Sequence, residues 1–295
     1  MLTSVDSIPL QYVDTIDLRS NLLQGSLPIP PNSTTYFFIS ENNLSEEIAW
    51  SICNLTSLGI LDLGRREIPQ CLGNITALEV LDMRHNNLSG NITTTFISGS
   101  SLRSLNLQVL DLGDNHLIDT FPCAILPKLR IIDLSCNAFL GNLPTSLFQH
   151  LKAMRTIDPS IEAPSYYEAR YYQDSVTVAT KRLEREIVRI LYLYTVIDLS
   201  SNKFGGQIPS IMGNFIALHI LNLSHNGLRG HIPPSFGDLS SIESLMLYGI
   251  TEEGTIDVAR MVMLGMYHFQ RLTILILPHR QWHIFLIELD AISGV

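Results

Sequence analysis

The chain of 295 residues is 46% hydrophobic and 16% charged, with a net charge of −9. This length supplies enough apolar material for a large core, whereas the acidic charge balance argues against a nucleic-acid-binding surface. We therefore expect no nucleic-acid partner.

The amino-terminal residues 1–12 show no targeting signal. They lack a basic segment followed by an apolar core, so we do not predict a secretory signal peptide. From Val13 onwards, Val13, Ile16 and Asn21 occupy positions of a pattern that recurs along the chain. We interpret residues 1–12 as a partial lead-in to a first repeat domain at 13–144.

The repeat is clearest in two blocks that begin 24 residues apart, at Tyr194 and Leu218. Their apolar, Asn, Gly and Pro positions coincide in the pattern LxxLxLxxNxLxGxIP, and a third block begins at Ile242. A period in the twenties with this pattern predicts an α/β leucine-rich-repeat solenoid. Short parallel strands then line its concave face, because apolar residues two apart point to one side of a strand. These blocks form a second repeat domain at 194–250.

Most repeats carry an Asn shortly after the strand. An Asn side chain both donates and accepts hydrogen bonds, and in a turn it satisfies backbone groups that no regular ladder reaches. Stacking of the repeats therefore predicts a structural ladder made of Asn21, Asn42, Asn86, Asn115, Asn137, Asn202 and Asn226.

Two places in the first repeat domain are irregular. Near residues 64–67 the repeat lacks about four residues, and Arg66 stands where Asn is expected. Near residue 107 a repeat that opens at Leu102 is overtaken by another that opens at Leu107. Because each coil must close in order to stack on its neighbours, we expect a local defect at each place.

The repeat disappears in an insertion at residues 145–193. Its SVTVAT segment alternates as a strand does, and the following KRLEREIVRILYL is either an amphipathic helix or a second strand. Aromatic and polar residues on a rigid scaffold suit ligand contact, whereas the alternative is an ordered excursion that packs back on the coil.

Four cysteines lie in different repeats, at Cys53, Cys71, Cys123 and Cys136, without CxxC spacing. They are either small buried apolar residues or disulfide partners. Their number does not decide the cellular compartment.

The last residues, 251–295, depart from the repeat. Their apolar runs, LTILILP and IFLIEL, are both shorter than the ~20 residues that a membrane-spanning helix needs. We predict a tail that is poorly ordered or that lies across the open end of the solenoid.

The sequence around the insertion resembles one plant family. Residues 171–176 (YYQDSV), 186–191 (EIVRIL) and 194–204 (YTVIDLSSNKF) follow one another as in plant receptor-like proteins with extracellular leucine-rich repeats, the Cf-type and fungal-elicitor-receptor group. The resemblance covers most of residues 13–249. Arg182 departs from it, because the family usually has Gly at this turn.

The resemblance implies a C-terminal ectodomain fragment of a cell-surface receptor at the plasma membrane, which signals in defence or development. Its partners would be an extracellular peptide, protein or glycan ligand and a co-receptor kinase that approaches the last repeats. The implied ligand-binding residues lie in the insertion and at exposed positions of the concave strands. They are Tyr166, Tyr167, Arg170, Tyr171, Tyr172, Glu79, Asp82, Arg84, His85, Asp111, Asp114, Arg130, Asp133, Asp198, Ser200, His219, Asn222 and His225.

Seven sequons for N-glycosylation suit such an ectodomain, since glycan acceptors belong on exposed surface. They stand at Asn32, Asn43, Asn54, Asn74, Asn87, Asn91 and Asn222. For Asn43, Asn87 and Asn222 the repeat itself generates the Asn-Leu-Ser sequence.

The sequence carries no enzyme signature. It has no GxSxG, GxxxxGK[ST] or HExxH motif and no GxGxxG between a strand and a helix. His279 and His283 are four residues apart, but no third ligand stands at metal-site spacing. We therefore predict a non-enzyme without a cofactor or metal.

Two other interpretations stay open beside the receptor fragment. One is a secreted inhibitor of the polygalacturonase-inhibiting type, which uses the same 24-residue repeat but lacks the insertion. The other is a truncated product without independent activity, because the repeats are interrupted and the tail departs from the family.

Overall fold

The computed structural model describes residues 12–44, 48–63, 71–72, 75–86, 88–90, 107–121, 126–157, 175–180, 183–188, 194–247, 273–276 and 285–288. Its strands are β1 Thr15–Asp17, β2 Gln24–Gly25, β3 Tyr36–Phe38, β4 Asn43–Leu44, β5 Ile60–Asp62, β6 Val80–Asp82, β7 Ser89–Gly90, β8 Val109–Asp111, β9 His116–Asp119, β10 Ile131–Asp133, β11 Ala138–Asn142, β12 Ser175–Thr180, β13 Leu183–Val188, β14 Val196–Asp198, β15 Lys203–Gly206, β16 Ile220–Asn222, β17 Gly227–Leu228, β18 Ser244–Met246, β19 Thr273–Ile276 and β20 Phe285–Glu288. Helix α1 spans Thr145–His150, and 3-10 turns span Trp50–Asn54, Ser210–Asn214 and Pro234–Asp238.

Within the described residues, eleven strands form one sheet in the order β1-β3-β5-β6-β8-β10-β14-β16-β18-β19-β20. Each strand from β1 to β19 is parallel to the next, so the sheet grows by one strand per repeat. The middle residue of each repeat strand, such as Leu110, Ile132 or Leu221, points into the core and is fully buried. This arrangement confirms the predicted leucine-rich-repeat solenoid.

A second, smaller sheet follows the turn of several repeats. It joins β17, β15, β11, β9 and β7 in that order, and all its pairs are parallel. The apolar core lies between this second sheet and the main sheet, and within it the rings of Phe139 and Phe204 stack with their centroids 6.0 Å apart. The turns therefore stack in register as well as the strands.

The Asn side chains form a hydrogen-bonded ladder between consecutive repeats. Each Nδ2 donates to carbonyl groups of its own turn, and in six of the seven it also donates to the preceding repeat in the stack. Asn202, for example, donates to Leu134 O at 2.8 Å and accepts the backbone N–H of Phe139 at 3.0 Å. The repeats on either side of the insertion are thus direct neighbours.

The two irregular places have different outcomes. At the first, residues 64–70 lie outside the described residues, but β5 still pairs with β6, and Asn86 Nδ2 donates to Leu63 O at 2.8 Å. A disulfide joins Cys53 to Cys71 beside it, with Cα atoms 5.7 Å apart. At the second, the start at Leu107 enters the stack, since Leu107 is buried and β8 pairs with both neighbouring strands. Of the two interpretations of the cysteines, the disulfide is correct for this pair.

The insertion contains a β-hairpin. Strand β12 confirms the strand predicted for SVTVAT, and β13 decides the alternative for the following segment in favour of a second strand. The two pair antiparallel, with Val176 opposite Ile187.

In the tail, β19 pairs in parallel with β18, and β20 pairs antiparallel with β19. At these two strands the tail extends the main sheet beyond its last repeat.

Candidate functional site

Three rows of side chains run across the strands on the concave face. The apolar row consists of the first strand residues Ile60, Val80, Val109, Ile131, Val196 and Ile220, which form a buried cluster separate from the main core. The carboxylate row consists of the last strand residues Asp62, Asp82, Asp111, Asp133 and Asp198, which are in register on adjacent strands. The leading row consists of the residues just before each strand, Glu79, Gln108, Arg130, Thr195, His219 and Glu243.

The carboxylate row corrects the expectation that its members are exposed. Asp82 and Asp111 are only 3% and 4% exposed, and Asp133 and Asp198 are partly buried. Parallel strands lie about 4.8 Å apart, so neighbouring carboxylates cover one another. Each also turns back towards its own chain, as when Asp133 Oδ1 accepts the Ser135 N–H at 2.8 Å. The strand Asp residues are therefore largely structural.

Positive charge and amide donors compensate this row unevenly. The Arg84 guanidinium lies 3.3 Å from Asp82 Oδ2 and 3.9 Å from Asp111 Oδ2, and Asn222 donates to Asp198 Oδ2 at 2.9 Å. Burial, and then the charges of Asp111 and Asp198, raise the pKa of Asp133 well above its ordinary value. Burial also raises the pKa of Asp198. The centre of the row is thus the place where a proton binds most readily.

The leading row supplies accessible polar chemistry. Glu79, Arg130 and His219 are partly exposed, and Glu243 is exposed. Gln108 Nε2 donates to Glu79 Oε2 at 3.3 Å. Burial raises the pKa of Glu79, and Lys128 opposes this effect. The row therefore presents acidic, basic and neutral groups beside the apolar row.

Tyr194 and Glu243, which meet on this surface, were not among the sequence candidates, and neither were Gln108 and Thr195 of the leading row. The Tyr194 hydroxyl donates to Glu243 Oε2 at 3.3 Å, and its ring lies 4.9 Å from the His219 ring between centroids. The available signal was a Tyr at a position where most other repeats have Leu. That substitution places an aromatic ring and a hydroxyl on the edge of the concave face.

A fourth, trailing row consists of the residues immediately before the ladder asparagines, all of which have a positive backbone φ. They are Ser20, Glu41, His85, Asp114, Cys136, Ser201 and His225. His85 and Asp114 are both exposed, and their Nδ1 and Oδ2 atoms lie 3.0 Å apart. Cys136 is a free cysteine in this row, and partial burial of its thiol, followed by the nearby Asp114 carboxylate, raises its pKa to about 11. This raised pKa keeps the thiol protonated and poorly nucleophilic.

Some of the predicted site residues lie in parts of the chain that the structure does not describe. The candidates Tyr166, Tyr167, Arg170, Tyr171 and Tyr172 lie outside the described residues, as do the sequons at Asn74, Asn87 and Asn91 and the pair His279 and His283.

Among the described sequons, Asn32, Asn43 and Asn54 are exposed. Asn222 corrects the sequence expectation, because it is only 6% exposed and its Nδ2 donates to Asp198. A folded chain does not present this nitrogen to a glycosyltransferase.

Within the described residues, no group of three or more His, Cys, Asp or Glu side chains has the arrangement of a metal site. In the same part of the chain, no helix has both the length and the apolar composition needed to cross a membrane.

The Leucine Rich Repeat family model matches residues 77–98, 106–126, 128–150, 195–215 and 217–239. Receptor-like protein 33 of Arabidopsis thaliana is 38% identical over 68% of this chain and 28% of its own length. Receptor-like protein 35 of the same plant is 36% identical over 66% of this chain and 26% of its own length. The chain thus spans little more than a quarter of these two curated relatives.

Solved plant ectodomains share the fold. The leucine-rich-repeat ectodomain of the Arabidopsis thaliana membrane receptor kinase GASSHO1/SCHENGEN3, in complex with CASPARIAN STRIP INTEGRITY FACTOR 2, is 25% identical with a TM-score of 0.60, over 86% of this chain and 30% of that one. The ectodomain of the Arabidopsis receptor kinase HAESA, in complex with an extended IDA peptide hormone, is 26% identical with a TM-score of 0.53, over 80% of this chain and 38% of that one.

Proposed function

This chain is a homologue of one part of the plant leucine-rich-repeat receptor-like proteins, a non-enzymatic family, and on that premise we propose that its concave face binds an extracellular ligand. The ligand is a peptide, a protein or a glycan. The chain acts as a segment of a cell-surface ectodomain and not as a catalyst.

The continuous concave sheet is the observation that carries this proposal. Its strands keep one register across the insertion, as shown by Asp133 opposite Asp198 on adjacent strands. The leading row gives this surface both signs of charge, through Glu79, Arg130 and Glu243, and the buried apolar row beside it fixes the spacing of these side chains. A rigid sheet with accessible polar and charged side chains suits recognition of an extended ligand.

The solved relatives support the ligand class. The two ectodomains that share this fold at 25% and 26% identity were each determined with a bound peptide hormone or factor. By analogy with them, a peptide is the first ligand class to test. The insertion, whose β12–β13 hairpin is described, is the second surface that we propose for ligand contact.

The signalling part of the proposal follows from the family resemblance. A co-receptor kinase would approach the last repeats, around β16 and β18, at the outer face of the plasma membrane, and the signal would serve defence or development. Strands β16 and β18 each pair with a strand on both sides, so their backbone groups are occupied and contact with a partner falls to side chains.

Two screens with the purified chain test the proposal: panning of a random peptide library, and binding to an oligosaccharide array. The concave variant carries Arg130→Glu and His219→Ala, and the matched control carries Leu140→Ser on the second sheet, where Leu140 is 45% exposed. We expect binders that the concave variant loses and the control keeps. Binders that the control loses and the concave variant keeps would overturn the proposal, as would a lack of binders.

A further inference from the structure

Glu243, the last member of the leading row, carries an exposed carboxylate. Among the described residues it has one hydrogen-bond partner, the Tyr194 hydroxyl, which donates to Oε2 at 3.3 Å. The strand carboxylates are satisfied more fully, as when Asp198 accepts the Ser200 N–H and the Asn222 amide, each at 2.9 Å. In the same described part of the chain, no ion pair joins Glu243 to a basic side chain. Its second oxygen, Oε1, can therefore accept a donor from another molecule.

Two members of the leading row can carry positive charge, and neither neutralises Glu243. His219 precedes the adjacent strand β16, but burial lowers the pKa of its imidazole, so the ring is neutral at neutral pH. Arg130 precedes β10, which is three strands from β18. At about 4.8 Å per strand this is about 14 Å, beyond the screening length of about 8 Å at physiological ionic strength. The negative charge of Glu243 therefore stays available to a ligand.

Two aromatic rings lie beside this carboxylate. The Tyr194 and His219 rings have centroids 4.9 Å apart and are inclined at 48°, and both residues are partly exposed. Burial, followed by the charge of Glu243, raises the pKa of Tyr194, so its hydroxyl stays protonated and keeps donating to Oε2. A Lys or Arg side chain matches this arrangement, because its methylene stem packs against apolar surface while its charged head pairs with a carboxylate.

We propose that Glu243, together with the rings of Tyr194 and His219, forms a subsite of the concave face that binds a Lys or Arg side chain of the extracellular ligand. This assignment rests on the proposed function, because it gives a chemistry to the ligand of the same face. The cationic head donates to Glu243 Oε1, and the stem lies against the two rings. The ligand is then a peptide or protein segment with a basic residue, and not a neutral glycan.

Two small probes test the subsite on the whole chain without a known ligand. N-acetyl-arginine amide carries the guanidinium, and N-acetyl-citrulline amide has nearly the same shape but no charge. Each probe is titrated at neutral pH while the NMR signals of the Glu243 carboxyl group and the Tyr194 ring are followed. Because an exposed ion pair changes affinity by about two- to fivefold, we expect the arginine probe to bind more tightly than the citrulline probe by about that factor.

Two variants assign this preference to Glu243. Glu243→Gln keeps the shape of the side chain and an acceptor for the Tyr194 hydroxyl but removes the charge, so the preference for the arginine probe should disappear. The control Asp238→Asn removes an exposed carboxylate from a 3-10 turn and should keep the preference. Equal binding of the two probes, a preference that persists in Glu243→Gln, or a preference lost in Asp238→Asn would each overturn the proposal.

Peptides selected on the concave face separate this proposal from the proposed function. Replacement of their Lys or Arg residue by norleucine should weaken binding to the wild type about two- to fivefold and leave binding to Glu243→Gln unchanged. Concave binders without such coupling would overturn the subsite and leave the proposed function intact. Selective binding of the arginine probe without any concave binder would instead overturn the proposed function and keep the cation-binding subsite.

Discussion

Asn202 Oδ1 accepts the backbone N–H of Phe139 at 3.0 Å, although 63 positions of sequence separate the two residues. The bond shows that the solenoid closes over the insertion as if the inserted residues were absent. The solenoid can tolerate this because each repeat contacts only its neighbours in the stack.

Substitution of Asn202 should therefore destabilise the chain more than its size suggests. Asn202→Ala leaves the buried Phe139 N–H without this acceptor and removes one of the two amide donors to the Leu134 carbonyl, which keeps Asn137 Nδ2. An unpaired buried group costs about 1–3 kcal/mol, so we expect a loss of that size in the free energy of unfolding, measured with urea. Asn43→Ala, at an exposed position outside the ladder, is the control. Equal losses in the two variants would contradict the ladder's role.

Asp133 should make stability depend on pH. Because burial and its acidic neighbours raise its folded pKa, its stabilising protonation is present below the ordinary Asp pKa and is lost as the pH rises through the raised value. Relative to Asp133→Asn, the wild type should therefore lose stability as the pH rises from about 4 to about 8. Denaturation at a series of pH values measures this. The control Asp238→Asn removes an exposed carboxylate and should keep the pH dependence of the wild type. If Asp238→Asn changed the pH dependence as much as Asp133→Asn does, the assignment to Asp133 would be wrong.

Gly213 should resist substitution because successive 3-10 turns approach closely there. A Cβ at this position would overlap the Ser235 backbone oxygen, which no side-chain rotation can move. Gly213→Ala should therefore cost about 1–3 kcal/mol through overpacking. In contrast, a Cβ on Gly205 would meet its nearest atoms at 4.0 Å, which is ordinary contact. Thermal melts of both variants should show the larger decrease in Tm for Gly213→Ala.

The disulfide should hold the irregular repeat closed. Cys53 and Cys71 are separated by 18 positions, and a loop of that length gains about 3 kcal/mol from a cross-link. We expect dithiothreitol to lower the Tm of the wild type but not that of a variant with Cys53→Ser and Cys71→Ser. Cys136→Ser, which removes an exposed free thiol, should leave the response to dithiothreitol unchanged. A wild type that ignores the reductant would contradict this role.

The repeat pattern predicted the fold because it encodes which residues are buried. The spacing of Ile197 and Leu199 placed both in the core, and both are fully buried. The same spacing could not predict that Asp82 and Asp111 are shielded, since their burial comes from neighbouring strands that are 20 to 29 positions away in sequence.

Contacts between distant segments also limited the prediction of the surface. Nothing in the sequence near Tyr194 indicates that its hydroxyl reaches Glu243. The partner of Cys53 depends on how the shortened repeat folds, and β13 is a strand because β12 lies opposite to it. Local pattern therefore predicted the scaffold, whereas pairs across repeats determine the candidate site.

Histidine footprinting with diethyl pyrocarbonate tests most directly whether the concave face is the recognition surface. His219 is partly exposed on this face, and His116 is exposed on the second sheet. With the strongest binder from the peptide library present at neutral pH, we predict that His219 is protected from modification and that His116 reacts as before. Protection of His116 with unchanged reaction of His219 would contradict the account.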